Sequence, residues 1–442
     1  MLNLLSDTIA AIATPKGKAA LSIIRVSGSE TFNIINKIAR VRNIILNKMT
    51  RAKFYDGDTL LDDGMICLYK APRSYTGEDM AELFCHGNDF ILSQVLEALL
   101  KHCRLAEKGE FTHRAYLNRK IDLTQAEAIG NLLNAKSTNS QKAALLQLEG
   151  ILSSRIKKIL DNITDLRIIL ELAIDFTEDD VPEYNPEMFI EKINSILDEL
   201  KVLINTAQNG IIVQEGIKIC LIGAPNVGKS SIFNAFVQTE RAITSSTPGT
   251  TRDYLEEGIS LDGYYVKFID TAGIHETRNN IEMIGIERSK NLAEKADLVF
   301  YITDPDIDEE TDNMFFDILP KDKLIKVMNK IDLLENKDIK NDYIPCSTLL
   351  SDGLDKIKKV LINKFKDVHI ESGLITNARQ LACLKKAYNS LLKAKETFIN
   401  NIGLDFLALD IQISGNALEE LIGHISNEDI LKDIFDNFCI GK

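Results

Sequence analysis

The residues that most clearly indicate chemistry form a loop, Gly223-Ala224-Pro225-Asn226-Val227-Gly228-Lys229-Ser230, between an apolar run at 217–222 and a helical segment at 231–236. The backbone N–H groups of such a loop can surround phosphate oxygens, and the N-terminus of the following helix adds positive partial charge. In this motif the lysine, here Lys229, reaches the β- and γ-phosphates, and the hydroxyl of Ser230 coordinates Mg²⁺. The alternative is a chance glycine-rich turn, which the flanking strand and helix patterns disfavour. We therefore predict a site for a nucleoside triphosphate.

Three further motifs predict that the nucleotide is GTP. Asp270-Thr271-Ala272-Gly273 follows an alternating run, which places Asp270 at a strand end where it can hold the Mg²⁺ shell. Asn329-Lys330-Ile331-Asp332 follows another predicted strand, and its Asp332 carboxylate can accept hydrogen bonds from N1 and N2 of guanine. Adenine cannot supply that pair of donors, so it would leave buried polar groups unpaired. Ser347 lies where a loop behind the base is expected.

The residue after the Asp270–Gly273 motif indicates an unusual way of hydrolysing GTP. Ras-type GTPases use a glutamine at this point to orient the attacking water, and they receive an arginine that offsets charge in the transition state. Here the residue is Ile274, whose side chain can do neither. Another group must therefore orient water, and another cation must lie at the phosphates.

These motifs, together with Gly-Thr-Thr-Arg-Asp at 249–253, residues 284–288 and the terminal Phe438-Cys439-Ile440-Gly441-Lys442, resemble the MnmE (TrmE) family of GTPases that modify uridine in tRNA. The resemblance covers essentially the whole chain, including Ser-Tyr-Thr-Gly-Glu-Asp at 74–79. It implies a cytoplasmic GTPase that drives aminomethyl or carboxymethylaminomethyl modification at carbon 5 of the wobble uridine of tRNA. It also implies a homodimer formed through the N-terminal domain and a heterotetramer with a flavoprotein partner, MnmG (GidA), with no membrane association.

The resemblance also assigns residues to the GTPase reaction. In that family a potassium ion takes the place of the arginine, and the matching ligands here are Asn226, Ser245, Thr247 and Thr250. The Mg²⁺ ligands would be Ser230 and Thr251, and Glu282 would position water through an intermediary. The GTP contacts implied by the family are Asn226, Val227, Gly228, Lys229, Ser230, Ser231, Ser245, Ser246, Thr247, Pro248, Gly249, Thr250, Thr251, Asp270, Thr271, Ala272, Gly273, Asn329, Lys330, Ile331, Asp332, Ser347, Thr348 and Leu349.

A second set of residues is implied to bind 5-formyltetrahydrofolate or a related reduced folate. These are Arg25, Glu82, Lys120 and Lys442. Composition alone would make the first three surface or salt-bridge groups. Cationic side chains suit the carboxylates of a folate, which agrees with what the resemblance implies.

Cys439 has two possible roles. Prenylation is excluded, because Gly441 and Lys442 break the required C-terminal pattern. A buried structural thiol is the ordinary role of a cysteine. Its position on what we expect to be a flexible tail, together with the resemblance, favours a role in the modification chemistry.

The composition excludes some classes of protein. The chain has 442 residues, 45% of them hydrophobic, which suggests about three domains with real cores. With 52 basic and 65 acidic residues the net charge is −13, which argues against a protein that coats nucleic acid by bulk electrostatic attraction. Binding of tRNA would therefore require a local basic patch or a partner protein.

No run reaches the roughly 20 apolar residues of a membrane span, and the start resembles no secretory signal. The seven cysteines form no Cys-x-x-Cys pair, which predicts reduced thiols and no zinc site.

The spacing of apolar residues predicts the architecture. Residues 1–120 mix strand and helix patterns, 121–212 have helical spacing, 213–370 alternate strands and helices, and 371–442 are helical again. We predict an α/β G domain (a P-loop GTPase fold with a mostly parallel sheet) inserted in an all-α domain and preceded by an α+β N-terminal domain. Four successive domains are the alternative. The helical stripes are interpreted as core rather than as a binding surface.

Two other functions remain possible from the residues alone: a ribosome-assembly GTPase and a nucleotide-gated structural switch without chemistry of its own. The first would be expected to carry a basic RNA-binding appendage. The acidic balance, the N-terminal α+β domain and the Cys-Ile-Gly-Lys end favour the tRNA-modifying GTPase instead.

Overall fold

The fold is given by a computed structural model, which describes residues 7–41, 45–175, 186–239, 258–269, 290–334, 342–350, 352–365, 374–425 and 428–442. The chain forms two compact units. The first comprises Met1–Gly130, Gln147–Tyr184 and Asn400–Lys442, and the second comprises Asn131–Leu146 and Asn185–Ile399.

The first unit begins with a seven-stranded sheet. Its strands are β1 (Ile9–Ile12), β2 (Ala19–Ser27), β3 (Ala39–Arg40), β4 (Thr50–Asp56), β5 (Thr59–Tyr69), β6 (Met80–Gly87) and β7 (Arg104–Leu105), in the order β3-β4-β5-β6-β2-β1-β7. Its helices are α1 (Thr31–Ile38), α2 (Asp89–Leu100) and α3 (Glu110–Leu117). Residues from β2, β4 and β6, such as Ile24, Phe54 and Leu83, form a core with Leu92 and Val95 of α2. The α+β N-terminal domain is confirmed.

Helices then follow on both sides of the second sheet. Before it lie α4 (Leu123–Leu133), α5 (Thr138–Leu148), α6 (Ile151–Asp175) and α7 (Pro186–Glu215). After it lie α11 (Ala378–Ile399), α12 (Leu404–Ile422) and α13 (Glu428–Asp436). Ile156, Ile159 and Ile163 are buried, as predicted for core positions, whereas Leu133 and Leu145 are exposed.

The second sheet has the arrangement expected of a G domain. Its strands are β8 (Ile217–Ile222), β9 (Gly258–Leu261), β10 (Tyr264–Phe268), β11 (Leu298–Thr303), β12 (Leu324–Met328) and β13 (Ile344–Pro345), in the order β13-β12-β11-β8-β10-β9. All neighbours pair in parallel except β9 and β10. The helices of this part are α8 (Lys229–Thr239), α9 (Glu309–Phe316) and α10 (Asp355–Phe365).

Helices from the two sides of the G domain pack against each other. In the first unit α6 packs along α12, and in the second unit α7 packs along α11. This pairing of helices from before and after the second sheet supports an inserted G domain rather than four successive domains. The residue boundaries predicted at 120, 212 and 370 stay predictions. In the described part of the chain, every helix is too short or too polar to cross a lipid bilayer.

Candidate functional site

The phosphate-binding loop joins the end of β8 to the start of α8, as the sequence predicts. Two of its glycines are required by close contacts. A Cβ on Gly223 would collide with the carbonyl oxygen of Ile302, and one on Gly228 would collide with the side-chain amide of Asn329. Gly228 also has a φ of 95°, which L side chains rarely adopt. The backbone can therefore curl tightly here and present its N–H groups to an anion.

Lys229 lies inside this loop. Its Nζ donates hydrogen bonds to the carbonyl oxygens of Gly223 at 2.9 Å and Ala224 at 2.8 Å. Burial holds the pKa of Lys229 below its usual value. Bound phosphates would favour the charged ammonium, because an opposite charge nearby offsets the cost of burial.

The base side of the site is tied directly to the phosphate side. Asn329 donates from Nδ2 to the carbonyl oxygen of Val227 at 2.9 Å, and its backbone N–H bonds to Thr303 at 2.8 Å. Its Oδ1 is buried and has no hydrogen-bond partner among the described residues. Lys330 has a φ of 57° and donates from Nζ to Asp304 at 2.6 Å. Buried acceptors without partners are rare in proteins, which is consistent with a polar ligand site.

Asp332 is held by the loop that follows β13. Its Oδ1 accepts a hydrogen bond from the Ser347 hydroxyl at 2.5 Å, and the same hydroxyl accepts one from the Leu349 N–H at 3.2 Å. The backbone N–H of Ile331 also bonds to the Cys346 carbonyl oxygen at 3.3 Å. The structure therefore brings together the P-loop, the Asn329–Asp332 motif and Ser347–Leu349, all in the second unit. A carboxylate with its orientation set in this way can receive the two donors of guanine.

Sequence reasoning missed a buried carboxylate beneath this site. Asp312 of α9 accepts hydrogen bonds from Tyr301 at 2.7 Å, Thr303 at 3.0 Å and Tyr343 at 3.0 Å. Thr303 ends β11 and is followed by Asp304, the partner of Lys330. Asp304 could have been found by the rule that located Asp270, since both follow strands. Asp312 had no such signal, because its partners come from other elements.

Several predicted GTPase residues lie outside the described residues. They are Ser245, Ser246, Thr247, Pro248, Gly249, Thr250, Thr251, Asp270, Thr271, Ala272, Gly273 and Glu282. The described candidates for cation binding are Ser230, in the first turn of α8, and Asn226, which is exposed with a φ of 66°. Hydroxyl and amide oxygens are hard donors and fit Mg²⁺ or K⁺ chemically. Within the described ranges, no group of three or more His, Cys, Asp or Glu residues could hold a metal ion.

A second candidate site lies in the first unit, where Arg25 and Glu82 are cross-strand partners on β2 and β6. Arg25 Nε and Glu82 Oε1 are 2.9 Å apart, and both side chains are largely buried. Tyr69 donates to the other Glu82 oxygen at 3.1 Å, and the Arg25 guanidinium lies 5.5 Å from the centre of the Tyr75 ring. The site thus contains a positively charged guanidinium and a hydrogen-bond-accepting carboxylate side by side, and the contacts of each group fix its orientation.

The C-terminal residues lie against this pair, so the tail is not the flexible segment that we expected. Gly109 N–H bonds to the Cys439 carbonyl oxygen at 3.4 Å, and Phe111 N–H bonds to the Lys442 carbonyl oxygen at 3.1 Å. Arg25 reaches the Gly441 carbonyl oxygen at 3.5 Å. The packing of these backbone groups on β1 and α3 gives the tail a fixed place.

Lys442 and Cys439 differ in exposure. Burial, and then the nearby Arg25, hold the pKa of Lys442 below its usual value, although Cys439 and Glu82 act in the opposite direction. The Cys439 residue is exposed, which excludes a buried structural thiol. Lys120, by contrast, donates to the Pro72 carbonyl oxygen at 3.0 Å. The described contacts therefore bring Arg25, Glu82 and Lys442 together, and they place Lys120 at a separate contact.

Comparisons with known proteins identify the family of the chain. The family model for the MnmE helical domain matches residues 123–439, and the model for the GTP-binding protein TrmE N-terminus matches residues 8–120. The first match spans the G domain, as expected for an insertion. A solved structure titled as the G domain of the T. maritima FeoB iron transporter is 27% identical, covers 34% of this chain and 99% of that chain, and has a TM-score of 0.25. That score is too low to support any inference.

Full-length relatives share substantial identity with this chain. A protein of Aquifex aeolicus named tRNA modification GTPase MnmE is 38% identical, covering 99% of this chain and 100% of the relative. Proteins of the same name from Carboxydothermus hydrogenoformans and Bacillus licheniformis are 37% and 35% identical, again over 99% of this chain and 100% of each relative. The chain therefore belongs to the MnmE (TrmE) family of tRNA modification GTPases.

Proposed function

We propose that this chain is a potassium-activated GTPase that drives C5 aminomethyl or carboxymethylaminomethyl modification of the wobble uridine in certain tRNAs. Two hydrogen bonds support the GTPase part of the proposal: the one from Asn329 to the Val227 carbonyl oxygen and the one from Ser347 to Asp332. They connect the phosphate-binding loop to a carboxylate suited to guanine. The relatives' shared name, tRNA modification GTPase MnmE, supports the tRNA part.

The residues divide the work on GTP between binding and hydrolysis. Lys229 and the P-loop N–H groups bind the phosphates, and Asp332 selects guanine over adenine. Ser230, with Thr251, would hold the Mg²⁺, which supplies charge neutralisation at the phosphates when bound. Since Ile274 can neither orient water nor carry charge, we assign the positioning of water to Glu282.

The potassium site would be completed by Asn226, Ser245, Thr247 and Thr250. Of these four, Asn226 lies in the part of the chain that the structure describes. It is exposed at the turn of the P-loop, two residues before Gly228. An amide oxygen and backbone carbonyls are donors that potassium accepts in proteins. Bound there, the ion supplies the positive charge that an arginine supplies in Ras-type enzymes.

The second site would bind a reduced folate such as 5-formyltetrahydrofolate as the one-carbon donor. Glu82 can accept from ring N–H donors, while Arg25 and Lys442 can pair with carboxylates. Lys120 would contribute from its separate position. Cys439 would act in the modification chemistry, because the residue is exposed and the main chain near it is held beside Arg25.

The proposed partners follow from membership of the family. The chain would form a homodimer through its N-terminal domain in the cytoplasm and join a flavoprotein, MnmG (GidA), in a heterotetramer that acts on tRNA. A net charge of −13 supports the need for a partner or a local basic patch, since the average surface repels RNA.

Mass spectrometry of wobble nucleosides in a deletion strain tests the proposal. We expect C5-modified uridines to disappear and to return with the native gene, while a gene carrying Lys229→Ala should not restore them. Ribosome profiles on sucrose gradients serve as the comparison. Unchanged wobble nucleosides together with accumulated ribosomal precursors would overturn the proposal in favour of a ribosome-assembly GTPase.

A further inference from the structure

The first unit contains an open pocket of about 650 Å³, and Lys120 is the one residue of its lining that the two sites above also use. It lies where the end of α3 and the start of α4 meet α6 and the end of α12. Four side chains that carry or can carry positive charge line it: Arg119, Lys120, Lys157 and His424. We call these four residues the basic pocket.

The carboxylate in this pocket already accepts hydrogen bonds from neighbouring residues of the chain. Asp122 is the one acidic residue that lines it. Its Oδ1 accepts from the Thr124 hydroxyl at 2.7 Å and from the Gln125 N–H at 3.1 Å, so it serves to begin α4. Over the ranges that the structure describes, Arg119 and Lys157 form no ion pair. Arg119, Lys120 and Lys157 against the single carboxylate of Asp122 therefore leave the pocket with an excess of positive charge.

The backbone that carries Arg119 is held in a conformation unfavourable for an arginine. Its φ is 56°, a left-handed value that costs a non-glycine residue about 1 kcal/mol. Two hydrogen bonds of 2.9 Å keep it there, from Arg119 N–H to Tyr116 and from Lys120 N–H to Ala115. Tyr116 in turn donates its hydroxyl to the Gly423 carbonyl oxygen. These backbone bonds are those of a common left-handed helix ending, and together with the Tyr116 bond they hold the end of α3 against the end of α12 beside Arg119.

We propose that the basic pocket binds backbone phosphates of RNA, which makes it a tRNA contact. The proposal rests on the proposed function, since that supplies the RNA. A chain with a net charge of −13 repels a polyanion on average, so attraction must come from a local concentration of cations. Guanidinium groups bind phosphate through two parallel hydrogen bonds, and lysine adds a point charge. The volume is that of a small-ligand site and is large enough for a nucleotide unit.

The test measures tRNA binding by fluorescence anisotropy at several salt concentrations with the full-length protein. The variant combines Arg119→Asn with Lys157→Gln, because asparagine tolerates the left-handed backbone and glutamine keeps the helix. We expect about tenfold weaker binding near 0.1 M salt and a salt slope smaller by about 1.5 to 2, as expected for two lost phosphate contacts. GTP turnover should be unchanged, since neither residue belongs to the nucleotide site.

The matched control is Arg155→Gln with Lys158→Gln. These two residues also lie on α6 and are exposed, but they do not line the pocket. The control removes the same net charge and should keep the native salt slope. The charge-conserving Lys157→Arg variant should also keep it, which separates charge from folding.

Three results would overturn the proposal. The first is a pocket variant with the native salt slope. The second is a control variant that loses as much tRNA affinity as the pocket variant. The third is a pocket variant that binds tRNA normally but no longer binds reduced folate, which would make this a site for carboxylates. Failure of the proposed function looks different: the native protein itself would then bind tRNA no better than an unrelated acidic protein.

Discussion

At the guanine end of the nucleotide site, one carboxylate oxygen of Asp332 is already bonded to Ser347, which fixes the direction of the group. Asp332→Asn replaces an acceptor with a donor, so guanine N2 would face an N–H group. We expect GTP affinity to fall at least about 100-fold, while xanthosine triphosphate, which has a carbonyl at that position, gains affinity. Isothermal titration with both nucleotides measures this. Ser347→Ala is the control and should weaken GTP binding much less; equal GTP binding by Asp332→Asn and the native protein would contradict the assignment.

Asn226 offers a residue-level test of the cation. Its side chain is exposed at the turn of the loop, and its loss leaves Lys229 and the phosphate-binding backbone in place. We expect GTP hydrolysis by the native protein to rise about tenfold or more when K⁺ replaces Na⁺ at constant ionic strength, the scale of one charge contact in a transition state. Asn226→Ala should lose most of that rise and bind GTP almost normally. Equal native rates in the two salts would refute the potassium site.

Among the elements, the C-terminal tail can dock only with a glycine at position 441. Gly441 has a φ of 97°, and a Cβ there would collide with the Ile12 carbonyl oxygen of β1. Gly441→Ala should therefore loosen Cys439 and Lys442 from the start of α3 and reduce tRNA modification about tenfold or more, since misplacement by about 1 Å costs roughly 100-fold in some enzymes. GTP turnover should persist. Hydrogen exchange at the Phe111 N–H reports the detachment directly, and Ile440→Ala, at an exposed position, is the control.

The helix α3 is anchored by a buried ion network that predicts an acid sensitivity. Burial alone would raise the pKa of Glu110, but hydrogen bonds from Arg104, the Glu107 N–H and Arg114 outweigh it and hold this pKa below its usual value. A carboxyl group with a lowered folded-state pKa stabilises the fold above its unfolded pKa, and that stability is lost as pH falls through the folded value.

Glu110→Gln should thus lower the free energy of unfolding near pH 7 by about 3 kcal/mol, because Arg104 and Arg114 lose a buried partner. The difference from the native protein should shrink once the pH falls below about 4.5, the usual pKa of a glutamate. Urea unfolding across pH 3 to 7 measures both. A difference that is independent of pH would show that Glu110 acts through packing and not through charge.

At the scale of the whole molecule, the two sites belong to different units. The described GTP-binding residues lie in Asn185–Ile399, and Arg25, Glu82 and Cys439 lie in the other unit. Cys439→Ser should therefore leave GTP hydrolysis within about twofold of native, yet reduce wobble-uridine modification at least about 100-fold, since a hydroxyl at neutral pH is a far poorer nucleophile than a thiol. Both readouts come from one preparation. Full modification with serine at this position would leave Cys439 no chemical role.

Much of the nucleotide site could be predicted from the sequence by itself. The P-loop glycines, Lys229 and the Asn329–Asp332 motif each lie in one short segment, and their local backbone geometry follows from residue type: glycine where φ is positive or a Cβ would collide, and a polar residue at a strand end. The order of α+β, helical, α/β and helical segments could likewise be predicted from the spacing of apolar residues, because apolar residues repeat with a different period in helices and in strands.

The remaining features were decided by tertiary structure, because they join residues that are distant in sequence. Arg25 meets Glu82 through strand register, and it reaches Gly441 across a separation of 416 residues. The docked tail, the Asp312 network and the basic pocket depend in the same way on which elements pack together. Sequence spacing reports the face on which a residue lies, but the partner of that face is selected by packing and burial over the whole chain.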